Sequence, residues 1–392
     1  MSEAPPPAPA LRVDTAPALE ALVRRVEREP RIALDTEANS LHAWRERVCV
    51  VQLSVPGLDA IVDPLAVPDL SPLARLVDRD DVEVVFHGGD YDVSVLSRDH
   101  GFAFRRVFDT MIAATFLGEP ALGLAALVEK EFGVRLTKKW QTADWARRPF
   151  LPEQLDYLRS DTTHLLELSA RLDARVRAAD LAEEVAIEHR RLAARRGTPW
   201  RDDPDAWRTA KGAEKLDARG RAILASTWAW REERARAHDV PRFRVVPNET
   251  LTDLAARPPA DVADLSRRPG VGSVVRQNDA PALLDAIRTG VGAFERGEAP
   301  PAPERSRPSD EERARADARR RLEEKLRRWR TGEALARKVV NAVVLPNPGM
   351  EAMLDAMPST VDAIGALADV GRKRAARYGA IWLELLGTAV RD

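Results

Sequence analysis

Cysteine occurs once in these 392 residues, at Cys49, so no internal disulfide can form. The six histidines are scattered and no Cys-x-x-Cys pair exists, which leaves no framework for a structural zinc site. Aromatic residues are sparse, at 5%. No apolar run approaches the ~20 residues that a membrane-spanning helix needs. The opening "MSEAPPPAPA" has no basic-then-apolar order of a secretory signal. A soluble protein of the reducing cytoplasm, with no membrane partner, is expected.

What is present is a globular composition, 44% hydrophobic and 31% charged, rich in Arg, Ala and Leu, and long enough for two or three domains. The net charge of −1 says little about partners, but its distribution is uneven. Residues 1–200 carry 26 basic and 32 acidic side chains, and the remainder carries 35 and 30. Solvated faces of Arg-rich helices account for this as well as an acidic catalytic part joined to a basic grip does.

The first 200 residues mix strand and helix patterns. "RIALDTEA", "VCVVQLSV" and "DAIVDP" read as an antiparallel meander, and "VEVVFHGG" as a further buried strand. "DYDVSVLSRDHG" reads as a helix with Asp90 as N-cap and Gly101 as its stop. Residues 152–179 read as one long helix with Pro152 near its start. The order predicts a mixed sheet covered on both faces. Beyond residue 200 the strand signal fades into short helices. Two stretches echo each other, each with a Trp-Arg helix, a Pro-Asn turn, a short helix, a proline and another short helix. A Pro-rich, charged linker at 291–312 separates them.

Asp35 and Glu37 close the apolar run "RIAL". On a strand, residues two apart point to one face, so both carboxylates project together. Such a pair is costly to hold ionised without a cation, and hard divalent ions take oxygen ligands. A solvated strand end would also explain the pair. Asp92 follows a buried strand in "FHGGDYD", and Tyr157 and Asp161 are four apart on a helix, sharing a face. Alone, Asp161 fits a surface acid and Tyr157 a half-buried helix residue.

Together, "DTE" ending a strand, an aspartate after a later strand and "Y-x-x-x-D" in a late helix resemble the tyrosine-containing branch of the DEDD superfamily of 3′–5′ exonucleases. "EANSLHAWRERVCVVQLS" and "TKKWQTADWARRPFLPEQLDYLRSD" look like segments of the ribonuclease D family, and the helical repeats resemble HRDC domains. The fold implied is α/β: a ribonuclease H-like mixed-sheet exonuclease domain over residues 1–200, followed by two all-α HRDC domains at 204–290 and 313–392.

The resemblance further implies hydrolysis of RNA 3′ ends with two divalent ions, Mg²⁺ or Mn²⁺, held by Asp35, Glu37, Asp92 and Asp161, and release of nucleoside 5′-monophosphates. Tyr157 would orient the attacking water, since a phenol of ordinary pKa near ~10 is a poor base. Main-chain groups at Thr36 and Ala38, with His42, Lys138, Trp140 and Gln141, would line the path of the substrate, Trp140 by stacking on a base. His42 also fits a solvent-exposed loop histidine. Trp145 reads as core, His87 as packing the end of its strand, and "RPGVGS" at 268–273 as a loop. Basic stretches such as "WREERARAHDVPRFR" and "GRKRAARYG" would contact phosphates, although the helix opening "EERARADARRR" also reads as a salt-laced solvated face. The apolar segment before Pro346 departs from the HRDC pattern and leaves an intramolecular packing role open for the second copy. A monomer acting on precursors of transfer RNA is the expectation. A DNA exonuclease and a non-catalytic nucleic-acid-binding scaffold are the alternatives.

Overall fold

The computed structural model describes residues 9–272, 278–302 and 309–387. Residues 1–8 of the "MSEAPPPAPA" stretch, residues 273–277 of the 204–290 range (Ser273 of "RPGVGS" among them), residues 303–308 of the linker and residues 388–392 of the 313–392 range lie outside the described residues. By Cα packing the chain forms two compact units, one of residues 1–37, 48–199 and 308–392, the other of 38–47 and 200–307.

In the first unit the elements run β1 (Leu11–Val13), α1 (Ala16–Val26), β2 (Arg31–Ala38), β3 (Val48–Val55), β4 (Leu58–Val62), α2 (Ser71–Val77), β5 (Glu83–Phe86), α3 (Asp90–His100), β6 (Arg106–Asp109), α4 (Thr110–Phe116), α5 (Leu124–Phe132), α6 (Pro152–Thr163), α7 (Leu165–Ala178) and α8 (Ala182–Ala193). The strands form one six-stranded sheet in the order β1-β4-β3-β2-β5-β6. β3 and β4 are antiparallel, turning at Gly57 with φ +76°. β1 joins β4 in parallel, and β2, β5 and β6 are parallel to one another. The sheet is therefore mixed, as the pattern predicts. The three-residue β1 was too short to leave a signal.

Alternation along β2 sorts its side chains between two cores. Ile32 and Leu34 join the larger apolar cluster, with Val84 and Phe86 of β5. Ala33 joins Val85 in the opposite layer, under Leu165, Leu168 and Leu172. Asp35 and Glu37 continue the Ala33 parity, so the strand aims both acids to the side that α6 and α7 cover.

Two local expectations are corrected. Residues 152–179 form two helices that break at His164, whose φ is −96° and ψ −7°. Ser160 and Thr163 bond back to the carbonyls of Tyr157 and Arg159, each at 2.7 Å, and compete with the helical ladder there. The His164 ring stacks on Phe132 at 5.4 Å. The N-cap of α3 is Gly89, not Asp90, which is already helical, while Gly101 ends the helix in the left-handed region as expected.

The second unit holds α9 (Ala218–Ala237), α10 (Arg242–Val245), α11 (Asn248–Ala256), α12 (Val262–Arg267) and α13 (Ala280–Glu295), and the first unit closes with α14 (Asp310–Arg337), α15 (Asn341–Val344), α16 (Asn347–Ala356), α17 (Val361–Gly365) and α18 (Arg372–Leu386). α9 runs for 20 residues. The repeat holds at the level of single bonds. Buried Arg231 donates to Val246 O at 3.2 Å and Asn248 Oδ1 at 2.6 Å. Buried Arg330 donates to Leu345 O at 2.9 Å and Asn347 Oδ1 at 2.7 Å. In both copies one guanidinium fastens the Pro-Asn turn to the long helix.

The equivalent short turns diverge in composition. Arg242–Val245 reads RFRV and exposes Phe243, whereas Asn341–Val344 reads NAVV and buries Val343 in the apolar cluster that also holds Leu172, Val176 and Val185. The apolar segment before Pro346 thus packs inside its own unit. Two of the "GRKRAARYG" cations, Lys373 and Arg374, are engaged there as well. The Glu183 carboxylate accepts the main-chain N–H groups of Arg372 at 2.8 Å and Lys373 at 2.9 Å, Lys373 Nζ pairs with Asp180 at 2.6 Å, and Arg374 is buried on the carbonyls of Ala342, Val343 and Val370. Along α14, Arg313, Arg315, Arg320 and Arg327 each pair with an acid three or four residues earlier, the salt-laced face its sequence offers.

Candidate active site

Three elements deliver the acids. Asp35 and Glu37 stand at the end of β2, Asp92 in the first turn of α3, and Tyr157 and Asp161 one turn apart on α6. Each of Asp35, Glu37 and Asp161 offers one carboxylate oxygen, and these oxygens all lie within 4.8 Å of one another. Asp92 stands outside that tight trio. It is buried and tied to it by Thr36, whose hydroxyl donates to Asp92 Oδ1 at 2.5 Å.

Burial and mutual repulsion dominate the electrostatics. Burial, with the charges of Asp92, Asp161 and Glu37 added, holds the Asp35 carboxyl well above the usual carboxylate range. Burial and the charges of Asp161 and Asp92 push Glu37 up to about 8. Burial lifts Asp92 to about 6 and Asp161 to about 7. The Tyr157 phenol is raised above its ordinary range by burial, then by Asp161, Glu37 and Asp35, so it stays a proton donor at neutral pH. Its ring stacks on buried Trp145 at 5.8 Å, which fixes its direction, and Trp145 is core as its sequence suggests.

The donor set fits hard divalent cations. The groups brought together offer carboxylate oxygens, and the charges that raise Asp35 and Glu37 are those of neighbouring acids. Asp161 Oδ2 is buried and has no hydrogen-bond partner among the described residues, the state of an oxygen that lacks its counter-ion.

The remaining residues read from the sequence fall into different settings. Thr36 uses its side chain on Asp92, and Ala38 is the last residue of β2. His42 is half-buried in the 38–47 segment, which packs with the second unit, and its N–H donates to Asn39 O at 2.9 Å. Lys138 and Gln141 are exposed, while Trp140 packs partly against the cluster of Trp145, Tyr157 and Leu158. His87 is tied to Thr110 Oγ1 at 2.9 Å.

Sequence reading missed Gln52, which is fully buried on β3 and donates to Asp35 Oδ2 at 3.5 Å. A lone amide within the otherwise apolar "VCVVQLSV" was its only signal. It also missed Arg148, whose guanidinium binds both oxygens of Asp63, at 2.6 and 2.8 Å, and the carbonyls of Cys49 and Trp145, and so fastens the segment before α6 to the sheet.

Comparison with known proteins finds matches along most of the chain. Residues 12–177 match the 3′–5′ exonuclease domain family, and residues 210–287 and 319–386 each match the HRDC domain. A ribonuclease D of Acidiphilium cryptum is 34% identical over 77% of this chain and 78% of its own length. One from Zymomonas mobilis is also 34% identical, over 69% and 70%. The crystal structure of the catalytic core of RRP6 from Trypanosoma brucei, in its C496S mutant, superposes with a TM-score of 0.62 at 31% identity, covering 72% of this chain and 81% of that one. With acids gathered from three elements, an exonuclease domain and two HRDC matches, the chain belongs to the ribonuclease D family of 3′–5′ exoribonucleases.

Proposed function

We propose that this protein trims the 3′ ends of structured RNA, with precursors of transfer RNA as the substrate class, releasing nucleoside 5′-monophosphates, and that it acts as a cytoplasmic monomer. The observation that carries the reading is the trio of carboxylate oxygens from Asp35, Glu37 and Asp161, with Asp161 Oδ2 buried and unpartnered.

Asp35, Glu37, Asp92 and Asp161 would together hold two divalent ions, Mg²⁺ or Mn²⁺. Ions held there supply Lewis-acid activation of water and offset the negative charge that builds on the scissile phosphodiester. The chain's own groups do the rest. Thr36 fixes the direction of Asp92. The protonated Tyr157 hydroxyl donates a hydrogen bond at the edge of the acid cluster and orients the nucleophile rather than deprotonating it. The main chain at Thr36 and Ala38 contacts the terminal nucleotide, and His42, Lys138, Trp140 and Gln141 line the approach of the strand.

Labelled single-stranded RNA and a DNA of the same sequence, given to EDTA-stripped protein with and without added Mg²⁺ or Mn²⁺, test the reading. Metal-dependent release of mononucleotides from RNA, lost in Asp35→Ala, supports it. Turnover of DNA alone, or none at all, contradicts it.

A further inference from the structure

Where β6 passes into α4 stands a second Asp-Thr pair, Asp109-Thr110, which no step of the proposed chemistry uses. Both residues are fully buried. The Asp109 carboxylate accepts three main-chain N–H groups. Two are those of Met111 at 2.8 Å and Ile112 at 3.0 Å, and they cap α4. The third comes from Gly89 at 2.7 Å, on a different element, and capping does not require it. The Thr110 hydroxyl donates to Phe86 O at 3.1 Å and lies 2.9 Å from His87 Nδ1.

The two side chains therefore bind Phe86, the last residue of β5, and His87 and Gly89, two of the three residues between β5 and α3. That turn has little freedom of its own. Gly88 sits at φ +67°, and a Cβ on Gly89 would come within 2.6 Å of the Phe86 side chain. From behind, Asp109 N–H donates to His189 Nε2 at 3.0 Å, and the His189 ring lies 4.7 Å from that of Phe108. The turn's outgoing end is Gly89, the N-cap of α3, three residues before Asp92.

We propose that Asp109 and Thr110 are positioning residues: through the Phe86–Gly89 turn they set where α3 begins, and so hold Asp92 in register with Asp35, Glu37 and Asp161. The proposal rests on the reading of Asp92 as a metal ligand. Neither residue belongs to the acid trio, and their hydrogen bonds reach Asp92 through the main chain that carries it. Outer contacts of this kind typically carry ~10–100-fold in metal affinity or activity.

Four variants test it: Thr110→Val, which keeps the shape and removes both hydroxyl bonds; Thr110→Ser, which restores them; Asp109→Ser, which still caps α4 but is too short to reach Gly89; and Asp92→Asn. The measurements are Mn²⁺ affinity of the EDTA-stripped full chain by electron paramagnetic resonance, kcat and KM on labelled RNA, and the melting temperature. Thr110→Val and Asp109→Ser are expected to weaken Mn²⁺ binding and lower kcat by about 10–100-fold with KM for RNA little changed, and Thr110→Ser to recover most of both. Variants that melt lower yet bind Mn²⁺ and turn over RNA as the wild type does would overturn the inference, leaving Asp109 a helix cap. If Asp109→Ser does not fold, Thr110→Val against Thr110→Ser decides. If Asp92→Asn itself leaves Mn²⁺ affinity intact, it is the reading of Asp92 as a ligand that fails.

Discussion

The Thr36 hydroxyl and the Asp92 carboxylate meet at 2.5 Å, joining the end of β2 to the first turn of α3. Thr36 stands between Asp35 and Glu37, so one residue links the strand's two acids to the acid on the helix. A buried carboxylate oxygen that loses its donor is left unsatisfied, at a cost of about 1–3 kcal/mol or more for a charged group. Thr36→Val is expected to lower kcat by about 10–100-fold, with Thr36→Ser close to the parent. Steady-state kinetics on labelled RNA, read beside a melting curve, separate lost positioning from lost folding.

Protons and metal should compete for the acid cluster. Glu37 and Asp161 titrate near 8 and 7 in the folded chain, against about 4 when unfolded. The folded state therefore holds more protons than the unfolded state between these values, so their contribution to stability is greatest below about pH 4 and is lost as pH rises through 7 to 8. EDTA-stripped protein should melt lower at about pH 9 than at about pH 6, and Mg²⁺ should suppress that fall by favouring the ionised acids. Calorimetry at about pH 7 in buffers of different ionisation enthalpy should show protons released on Mg²⁺ binding. A melting temperature that climbs with pH in EDTA, with no proton release, contradicts the electrostatic account.

Tyr157 should act by orientation. Its phenol is held above the ordinary range by burial and three acids, so it stays protonated near neutrality and is not available as a base. Tyr157→Phe keeps the stacking on Trp145 and removes only the hydroxyl, and a loss in kcat of roughly 10–100-fold is expected, with the pH–rate profile unchanged in shape. Disappearance of a basic limb from that profile in the Phe variant would instead make the hydroxyl a titrating base.

The second helical repeat should unfold with the catalytic body. Val343 is buried in the apolar cluster that holds Leu172, Val176 and Val185, and burying a valine contributes about 1.5–3 kcal/mol. Glu183 accepts two main-chain N–H groups at the start of α18, where helix dipole and charge reinforce each other. Glu183→Ala is expected to cost about 1–3 kcal/mol. Hydrogen exchange should then rise first at residues 371–374 and 341–344. Unaltered exchange there would show the contact to be energetically idle.

Much of this was legible in the sequence, for identifiable reasons. The acids could be placed because a strand repeats every two residues and a helix every 3.6, which puts Asp35 beside Glu37 and Tyr157 beside Asp161. The mixed sheet followed from the order of apolar runs, and the two helical modules from Trp230-Arg231 and Trp329-Arg330 preceding their Pro-Asn turns. The break at His164 was not legible, because it depends on Ser160 and Thr163 turning back on their own helix. Gln52 and Asp109 were passed over because their roles arise from partners 17 and 20 residues away, Asp35 and Gly89, which only folding brings near. In the "GRKR" run, composition does not reveal that Lys373 pairs with Asp180 and that Arg374 is buried on three carbonyls.

The central claim is that these acids form one cation-binding centre that hydrolyses RNA, and a paired titration tests it most directly. Mn²⁺ is added stepwise to EDTA-stripped wild type and to Asp161→Asn, and bound ion and mononucleotide release are followed in the same samples. The account predicts that activity in the wild type rises in step with occupancy, and that Asp161→Asn loses both, with kcat down by about 10³-fold or several kcal/mol. Full RNA turnover by the stripped wild type, or undiminished Mn²⁺ binding and turnover by Asp161→Asn, would contradict it.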